Sequence, residues 1–264
     1  YWSVGEILRG ELALSARGTV FIDAVGSMQN AQSNVLSAGL MILAFVELER
    51  RRELGAAAAV TLATLIKLFP IAAAAFAVFR PFRLPRFAMW GILSGLIGVA
   101  APLLVVSPEQ LGELYRSWGA LSRSDALTRG YSVMELLEMA LRRDWPNAPI
   151  QLLGAAILLA PLRRYWMYGN HRFRLLFLAS ALMFCVLFNH KAESPTFVIA
   201  TAGVAIWFLG ANRSMLNRLA FGVFLIGTTL SSSDVMPEAL QEGFFEPYRI
   251  KTVPVLFVWA LAQI

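Results

Sequence analysis

Long apolar runs alternate with short polar segments along the entire chain. Eight runs stand out, at residues 33–46, 55–79, 87–106, 148–162, 173–189, 195–210, 216–230 and 250–264. As helices, they match most or all of the ~30 Å hydrocarbon core of a membrane. Because unpaired backbone amides are costly in lipid, and Ala, Leu and Gly outnumber strand formers, each run predicts a helix. Before them, two helical pieces near 2–15 and 19–28 are expected, with a break at Arg17-Gly18.

Composition supports the same interpretation. Of the 264 residues, 58% are hydrophobic and 15% are charged, whereas soluble domains carry about 25% charged residues. This balance excludes a soluble globule and predicts an all-α, polytopic membrane protein with a single transmembrane domain over residues 1–264. The chain begins at Tyr1 and stops inside an apolar run, so we expect a fragment truncated at both ends. With Cys185 as its one cysteine, it has no intrachain disulfide.

The arginines predict the topology. The chain has 23 Lys and Arg against 17 Asp and Glu, an excess that we attribute to positive-inside orientation rather than to a nucleic acid partner. Four basic loops are therefore expected on the cytoplasmic side, leaving Gln29–Asn34, the loop 107–147, Asn189–Pro195 and the acidic loop 231–248 outside. The basic loops contain Arg50, Arg51 and Arg52; Arg80, Arg83 and Arg86; Arg163, Arg164, Arg172 and Arg174; and Arg213 and Arg218.

The run 55–79 departs from this alternation because both of its flanks are rich in arginine. Lys67-Leu68-Phe69-Pro70 lies at its centre, and each remaining arm is too short to cross ~30 Å of lipid at ~1.5 Å per residue. A broken helix or re-entrant hairpin is the first interpretation. The alternative is one kinked span of 25 residues, which would invert every later loop.

The outer loop 107–147 is too polar to span, but its apolar residues recur with helical spacing. Leu111, Leu114, Trp118 and Leu121 form one stripe, and a second begins at Val133. Capping boxes at Ser107–Gln110 and Ser132–Glu135 are expected to open these helices. We predict two amphipathic helices that lie on the outer membrane surface.

Polar groups at membrane depth are functional candidates because they are expensive there. Lys67 could hold an anionic group such as a lipid phosphate, or it could be a structural lysine paired with a carbonyl. The carboxamides of Gln29–Asn34 could bind sugar hydroxyls or cap a helix. In Asn189–Pro195, His190 and Glu193 could handle a proton and Lys191 could bind phosphate, or the segment could be an ordinary polar turn.

The order of these motifs resembles glycosyltransferase family 87, the membrane mannosyltransferase-like enzymes of the C-type superfamily. In that family a G-Q-x-N motif precedes a membrane helix, a K-x-x-P motif follows, and an S-P motif lies in a late outer loop. The corresponding residues here are Ala31-Gln32-Ser33-Asn34, Lys67-Leu68-Phe69-Pro70 and Ser194-Pro195, with Ala31 in place of the glycine. The resemblance covers nearly the whole chain.

The resemblance implies transfer of a mannose-like hexose from a polyprenyl-phosphate donor to a lipid-linked or glycan acceptor. The reaction would occur at the outer face of a bacterial cytoplasmic membrane, without a metal ion or other cofactor. The family's general base lies upstream of this sequence, so the fragment is expected to be inactive, with His190 and Glu193 as catalytic candidates. The expected substrate-binding residues are Gln29, Gln32, Asn34, Lys67, Arg129, Tyr131, Lys191 and Ser194.

A multi-pass transporter or lipid flippase is the alternative function. It too would use a broken helix with a central cation, but it should contain internal repeats. The apolar runs have unequal lengths, and Lys67-x-x-Pro70 has no counterpart in the second half of the chain.

Overall fold

The computed structural model describes residues 11–125, 128–212, 214–232 and 236–263, which contain helices and no strand. Residues 2–10, Arg213 and residues 233–235, which belong to segments discussed above, lie outside this part. The described residues contain eleven α-helices of at least nine residues. They are α1 (Glu11–Gln29), α2 (Asn34–Glu49), α3 (Glu53–Ile66), α4 (Leu84–Ala100), α5 (Pro108–Asp125), α6 (Val133–Leu141), α7 (Asn147–Leu159), α8 (His171–Leu187), α9 (Phe197–Gly210), α10 (Met215–Phe224) and α11 (Thr252–Ala262).

Tighter and wider helical turns connect these helices. The longest is a 3₁₀ segment, Phe69–Phe79, and a π-helical turn, Leu225–Thr229, extends α10. The all-α prediction is confirmed. The predicted break at Arg17-Gly18 is wrong, because α1 passes through it without interruption. A helical glycine costs only about 1 kcal/mol, and α1 packs along α9 and α2, which offsets that cost.

The run 55–79 is broken and folds back, as its central lysine and proline predicted. Helix α3 has 14 residues and ends at Ile66, and the 3₁₀ segment that returns beside it has 11. The two arms are therefore about 21 Å and 22 Å long at ~1.5 Å and ~2.0 Å per residue. At the far end, Arg83 donates to Glu53 at 2.5 Å and to the Arg51 carbonyl at 3.4 Å. The two basic flanks thus meet, and the kinked straight span is excluded.

The described residues separate into two ends. At one, which we call the basic end, Glu49 pairs with Arg174 at 2.6 Å and with Arg80 at 3.8 Å. Arg172 at the start of α8 donates to Asn212 just after α9. At the other, the polar end, the loops 29–34, 128–132 and 189–195 meet, which agrees with the expectation that they share one side.

Helices α8 and α9 form the centre of the molecule. Nearly every side chain from Leu175 to Leu187 and from Phe197 to Trp207 is buried. The two helices touch at Gly203, where a Cβ would lie 2.7 Å from the Ala179 carbonyl oxygen. This close contact holds the 189–195 turn, which connects the two helices, in a fixed position at the polar end.

Much apolar surface faces outward elsewhere. The stretch Pro81–Leu104, which contains α4, is the one helical segment of the described chain that is long and apolar enough to cross a membrane, and only 6% of its most apolar window is buried. Large exposed apolar side chains also lie on α7 and α10.

Helices α5 and α6 confirm the two helices predicted within 107–147. The Ser107 box is complete, because the Gln110 amide donates to Ser107 Oγ at 3.3 Å and the Ser107 amide donates to the Gln110 side chain at 3.1 Å. The Ser132 hydroxyl caps α6 by accepting from the Glu135 amide at 3.4 Å.

The two helices differ in exposure. The apolar stripe of α5, which includes Leu114 and Trp118, is exposed, whereas α6 buries Val133 and Met134. Helix α6 therefore packs against the body of the protein, contrary to the prediction that both helices lie on a surface.

Candidate functional site

The first element of the site is the turn between α1 and α2. Ala31 has a left-handed φ of 51°, which reverses the chain within a few residues and sets Gln32 and Asn34 side by side. Asn34 is completely buried. Its amide donates to the Gln32 side-chain oxygen at 2.5 Å and to the Pro195 carbonyl at 3.0 Å.

The second element is the break that ends α3. The backbone of Lys67 is extended, with φ −147° and ψ 139°. The α-helix ends here because Pro70, three residues further on, cannot continue it. The Lys67 ammonium donates to the Asn34 side-chain oxygen at 2.5 Å. A lysine at the turning point of the 55–79 hairpin thus reaches the carboxamides that precede α2.

The third element is the turn between α8 and α9. Glu193 accepts from the Gln32 side-chain amide at 2.6 Å, although the two residues are 161 positions apart. Glu193, Gln32, Asn34 and Lys67 therefore form a continuous hydrogen-bonded chain with a carboxylate at one end and an ammonium at the other. We call these four residues the motif cluster.

A cavity of about 310 Å³ lies on the other side of the same turn. Ser194 and Pro195 form part of its wall, and Asp23, Gln29 and Lys251 form other parts. Lys251 is buried and lies 3.5 Å from Asp23 Oδ1. The other Asp23 oxygen accepts from Thr201 at 2.6 Å and from Thr229 at 3.3 Å.

The other residues predicted for the site lie around it, but they contact different partners. The side chain of His190 contacts Gln151 at 3.2 Å, so His190 and Glu193 are directed to different elements. Lys191 is exposed on the turn. Tyr131 donates its amide to the Ala192 carbonyl at 2.7 Å, and its ring lies 4.7 Å below the Arg249 guanidinium.

Arg129 lies apart from the motif cluster. Its guanidinium pairs with Glu138 and Asp144 and also donates to the Trp145 carbonyl. The Asp144 hydrogen bond is the main reason why the pKa of Arg129 is raised further. Its donors hold the start of α7 against α6, and this geometry does not direct them to a substrate phosphate.

The sequence interpretation missed Asp23 and Lys251. Asp23 is the only charged residue between Gly18 and Val46, and Lys251 is one of only three lysines in a chain with 20 arginines. All three lysines lie at the polar end. These two features were the available signals, but neither links two residues so far apart in the chain. Among the described residues, no three His, Cys, Asp or Glu side chains come together to hold a metal ion.

The fold and this site define an all-helical protein with a charged, hydrogen-bonded cluster at one end, built from three separated motifs. The family model for glycosyltransferase family 87 matches residues 2–189, more than two thirds of the chain. The chain belongs to this family, and its activity class is glycosyl transfer. No curated protein and no solved structure matches it. Ser194 and Lys251 lie beyond the matched range.

Proposed function

We propose that this glycosyltransferase moves a mannose-like hexose from a polyprenyl-phosphate donor to a lipid-linked or glycan acceptor at the outer face of a bacterial cytoplasmic membrane. The convergence of Gln32, Asn34, Lys67 and Glu193 in one hydrogen-bonded cluster carries this proposal. Residues from three distant motifs meet at one end of the molecule, next to a cavity of about 310 Å³.

We further propose that the protein is a polytopic membrane protein. The outward-facing apolar surfaces of Pro81–Leu104, α7 and α10 would be covered by acyl chains, because patches of this extent are rare on soluble monomers. The exposed stripe of α5 suits the membrane interface next to the polar end. The arginine-rich basic end would then face the cytoplasm.

The proposed chemistry uses the charges of the motif cluster. An acceptor hydroxyl attacks the anomeric carbon while the bond from that carbon to the phosphate oxygen breaks, and the polyprenyl phosphate leaves with the electron pair. Lys67 stabilises the charge that develops on this phosphate. Glu193 is the exposed carboxylate of the motif cluster and is our candidate to accept the proton of the attacking hydroxyl.

Substitution of Lys67 tests the proposal. We expect Lys67→Ala to lower the rate of hexose transfer about 100-fold, the usual effect of losing one stabilising donor. Glu193→Gln keeps a hydrogen-bonding group next to Gln32 but removes the charge, and it should lower the rate about as much. The assay is transfer of labelled hexose from a polyprenyl-phosphate donor to membrane glycolipids, with the full-length protein in lipid nanodiscs.

Arg52→Ala is the matched control. It removes an exposed cation at the basic end, where Arg52 lies 3.7 Å from Glu47, and should leave the transfer rate unchanged. Wild-type transfer by both Lys67→Ala and Glu193→Gln, at normal membrane levels, would remove the motif cluster from the mechanism.

A further inference from the structure

We propose that the cavity beside Ser194-Pro195 binds a neutral hexose ring. This inference rests on the proposed function and adds the position of the sugar. The cavity, about 310 Å³, is at the lower end of the range for small-molecule sites, about 300–1,000 Å³. Asp23 and Lys251 both line the cavity, but the pair does not favour a charged ligand.

The cation of the cavity is already engaged. The Lys251 ammonium donates to the Ser194 carbonyl at 3.2 Å and to Ser194 Oγ at 3.1 Å, and it lies 3.5 Å from Asp23. An ammonium has three hydrogens, and these three contacts match that number. Lys251 therefore shapes the wall and balances Asp23 rather than offering donors to a phosphate.

Asp23 keeps capacity in the wall to accept a further hydrogen bond. A carboxylate can accept about four, and Asp23 has two hydroxyl donors and one ammonium around it. Gln29 and Asn30 add carboxamides to the lining, which can accept and donate. A ligand with several hydroxyl donors satisfies such a wall.

Charge and shape narrow the ligand further. An anion that entered the cavity would be attracted by Lys251 but repelled by Asp23 to a similar extent, so the pair favours neither sign. Phe21, Ile22 and Pro195 add apolar surface to the lining. A sugar ring has hydroxyls at its edge and a C–H face, which matches a lining with both polar and apolar groups.

The position of the cavity fits a reaction at the motif cluster. Ser194 and Pro195 line the cavity, while Glu193 and the Pro195 carbonyl accept hydrogen bonds from the cluster. The same turn therefore holds the cavity and the motif cluster, and a hexose in the cavity would lie next to the residues that fix Glu193 in place.

Site-directed cysteine labelling tests the inference. Cys185 is the one native cysteine and is buried, so an introduced thiol is the reactive one. Ile22→Cys lies in the cavity, and Met28→Cys lies on the same helix, exposed and outside the lining. Methyl α-mannoside at ten times its dissociation constant should slow maleimide labelling of Ile22→Cys about tenfold and leave Met28→Cys unchanged.

Two further variants examine the hydrogen-bonding wall. In the Ile22→Cys background, Asp23→Asn should raise the methyl mannoside concentration needed for half protection about tenfold or more. Because Asp23→Asn also leaves Lys251 without its anion, Gln29→Ala provides the second variant at an exposed position. Gln29→Ala should raise the same concentration several-fold.

A short prenyl-phosphate hexose shows whether the cavity holds the donor sugar or the acceptor sugar. If the cavity holds the donor sugar, this compound protects at a much lower concentration than methyl mannoside, and Lys67→Ala removes that advantage. If it holds an acceptor sugar, the two compounds protect at similar concentrations and Lys67→Ala has no effect. Either result supports a hexose site.

Two results would overturn the inference. One is equal labelling of Ile22→Cys with and without methyl mannoside, methyl glucoside and methyl galactoside, and the other is unchanged protection in both wall variants. These results are distinct from a failure of the proposed transfer reaction. If the protein transferred no sugar but a methyl hexoside still protected Ile22→Cys, the proposed function would fail and the hexose site would remain supported.

Discussion

Gly130 docks the start of α6 onto the turn that carries Glu193. The Gly130 amide donates to the His190 carbonyl and the Tyr131 amide to the Ala192 carbonyl, both at 2.7 Å. A Cβ on Gly130 would lie 2.1 Å from the Ala192 carbonyl oxygen and 3.1 Å from its carbon. These atoms belong to the backbone, so no flexible side chain can move away. Gly130→Ala must therefore separate the two segments.

The expected cost can be worked out from these contacts. Each backbone hydrogen bond contributes about 0.5–1.5 kcal/mol net, and overpacking adds about 1–3 kcal/mol if the segments stay together. A Cβ only 2.1 Å from a backbone oxygen places the overpacking cost at or above the upper end of its range, so separation costs less: it gives up the two hydrogen bonds, about 2 kcal/mol in total. A loss of about 2 kcal/mol corresponds to roughly thirtyfold less protection of the two amides from hydrogen exchange.

Hydrogen–deuterium exchange of the protein in nanodiscs is the assay. We expect exchange at residues 130–131 to accelerate about thirtyfold in Gly130→Ala, and hexose transfer to fall because Glu193 loses its fixed position. Gly119→Ala is the matched control, since a Cβ there meets nothing within 4 Å. Wild-type exchange at the Tyr131 amide in Gly130→Ala would refute the docking argument.

Two further predictions concern the turn before α2 and the basic end. Ala31→Gly should raise the free energy of unfolding by about 1 kcal/mol, because it relieves a left-handed alanine; Ala24→Gly, within α1, should lower it, and thermal unfolding in detergent compares the two. Glu49 lies beyond the apolar run 33–46. Burial tends to raise the pKa of Glu49, but Arg174, Arg80 and His171 together hold this pKa below its ordinary value of 4.5. Its contribution to stability is therefore complete above that value and is lost as pH falls through the lowered pKa. Glu49→Gln should lower the stability at neutral pH by about 3 kcal/mol and flatten the acid limb of the melting temperature against pH; an unchanged acid limb would contradict this.

The folded-back 55–79 segment was predictable because its signals are local. A lysine and a proline interrupt an apolar run, and arginines on both flanks require the ends to share a side. The contact of Arg83 with Glu53 confirms this reasoning. The capping boxes were predictable for the same reason, since each is defined within four residues.

The cavity was not predictable, because its chemistry depends on contacts between distant segments. Thr201 and Asp23 are 178 positions apart, and Thr229 and Asp23 are 206 apart. An isolated aspartate inside an apolar helix indicates that a partner exists, but the sequence does not identify it. Arg129 is the opposite case. As a basic residue in an outer loop it was predicted to bind substrate, but in the structure it pairs with Glu138 and Asp144.

Two of the three lysines, Lys67 and Lys251, explain why a buried polar site can exist at one end of so apolar a protein. Lys67 donates to Asn34 and is attracted by the Glu193 carboxylate, and Lys251 is held by Asp23 and Ser194, so each of these two charges has an anion nearby. Each pairing also fixes one wall of the 193–195 turn, the motif cluster on one side and the cavity on the other. Loss of either anchor should therefore disturb both, which predicts that Lys67 and Lys251 substitutions are non-additive in transfer even though no described contact joins the two ammonium groups directly.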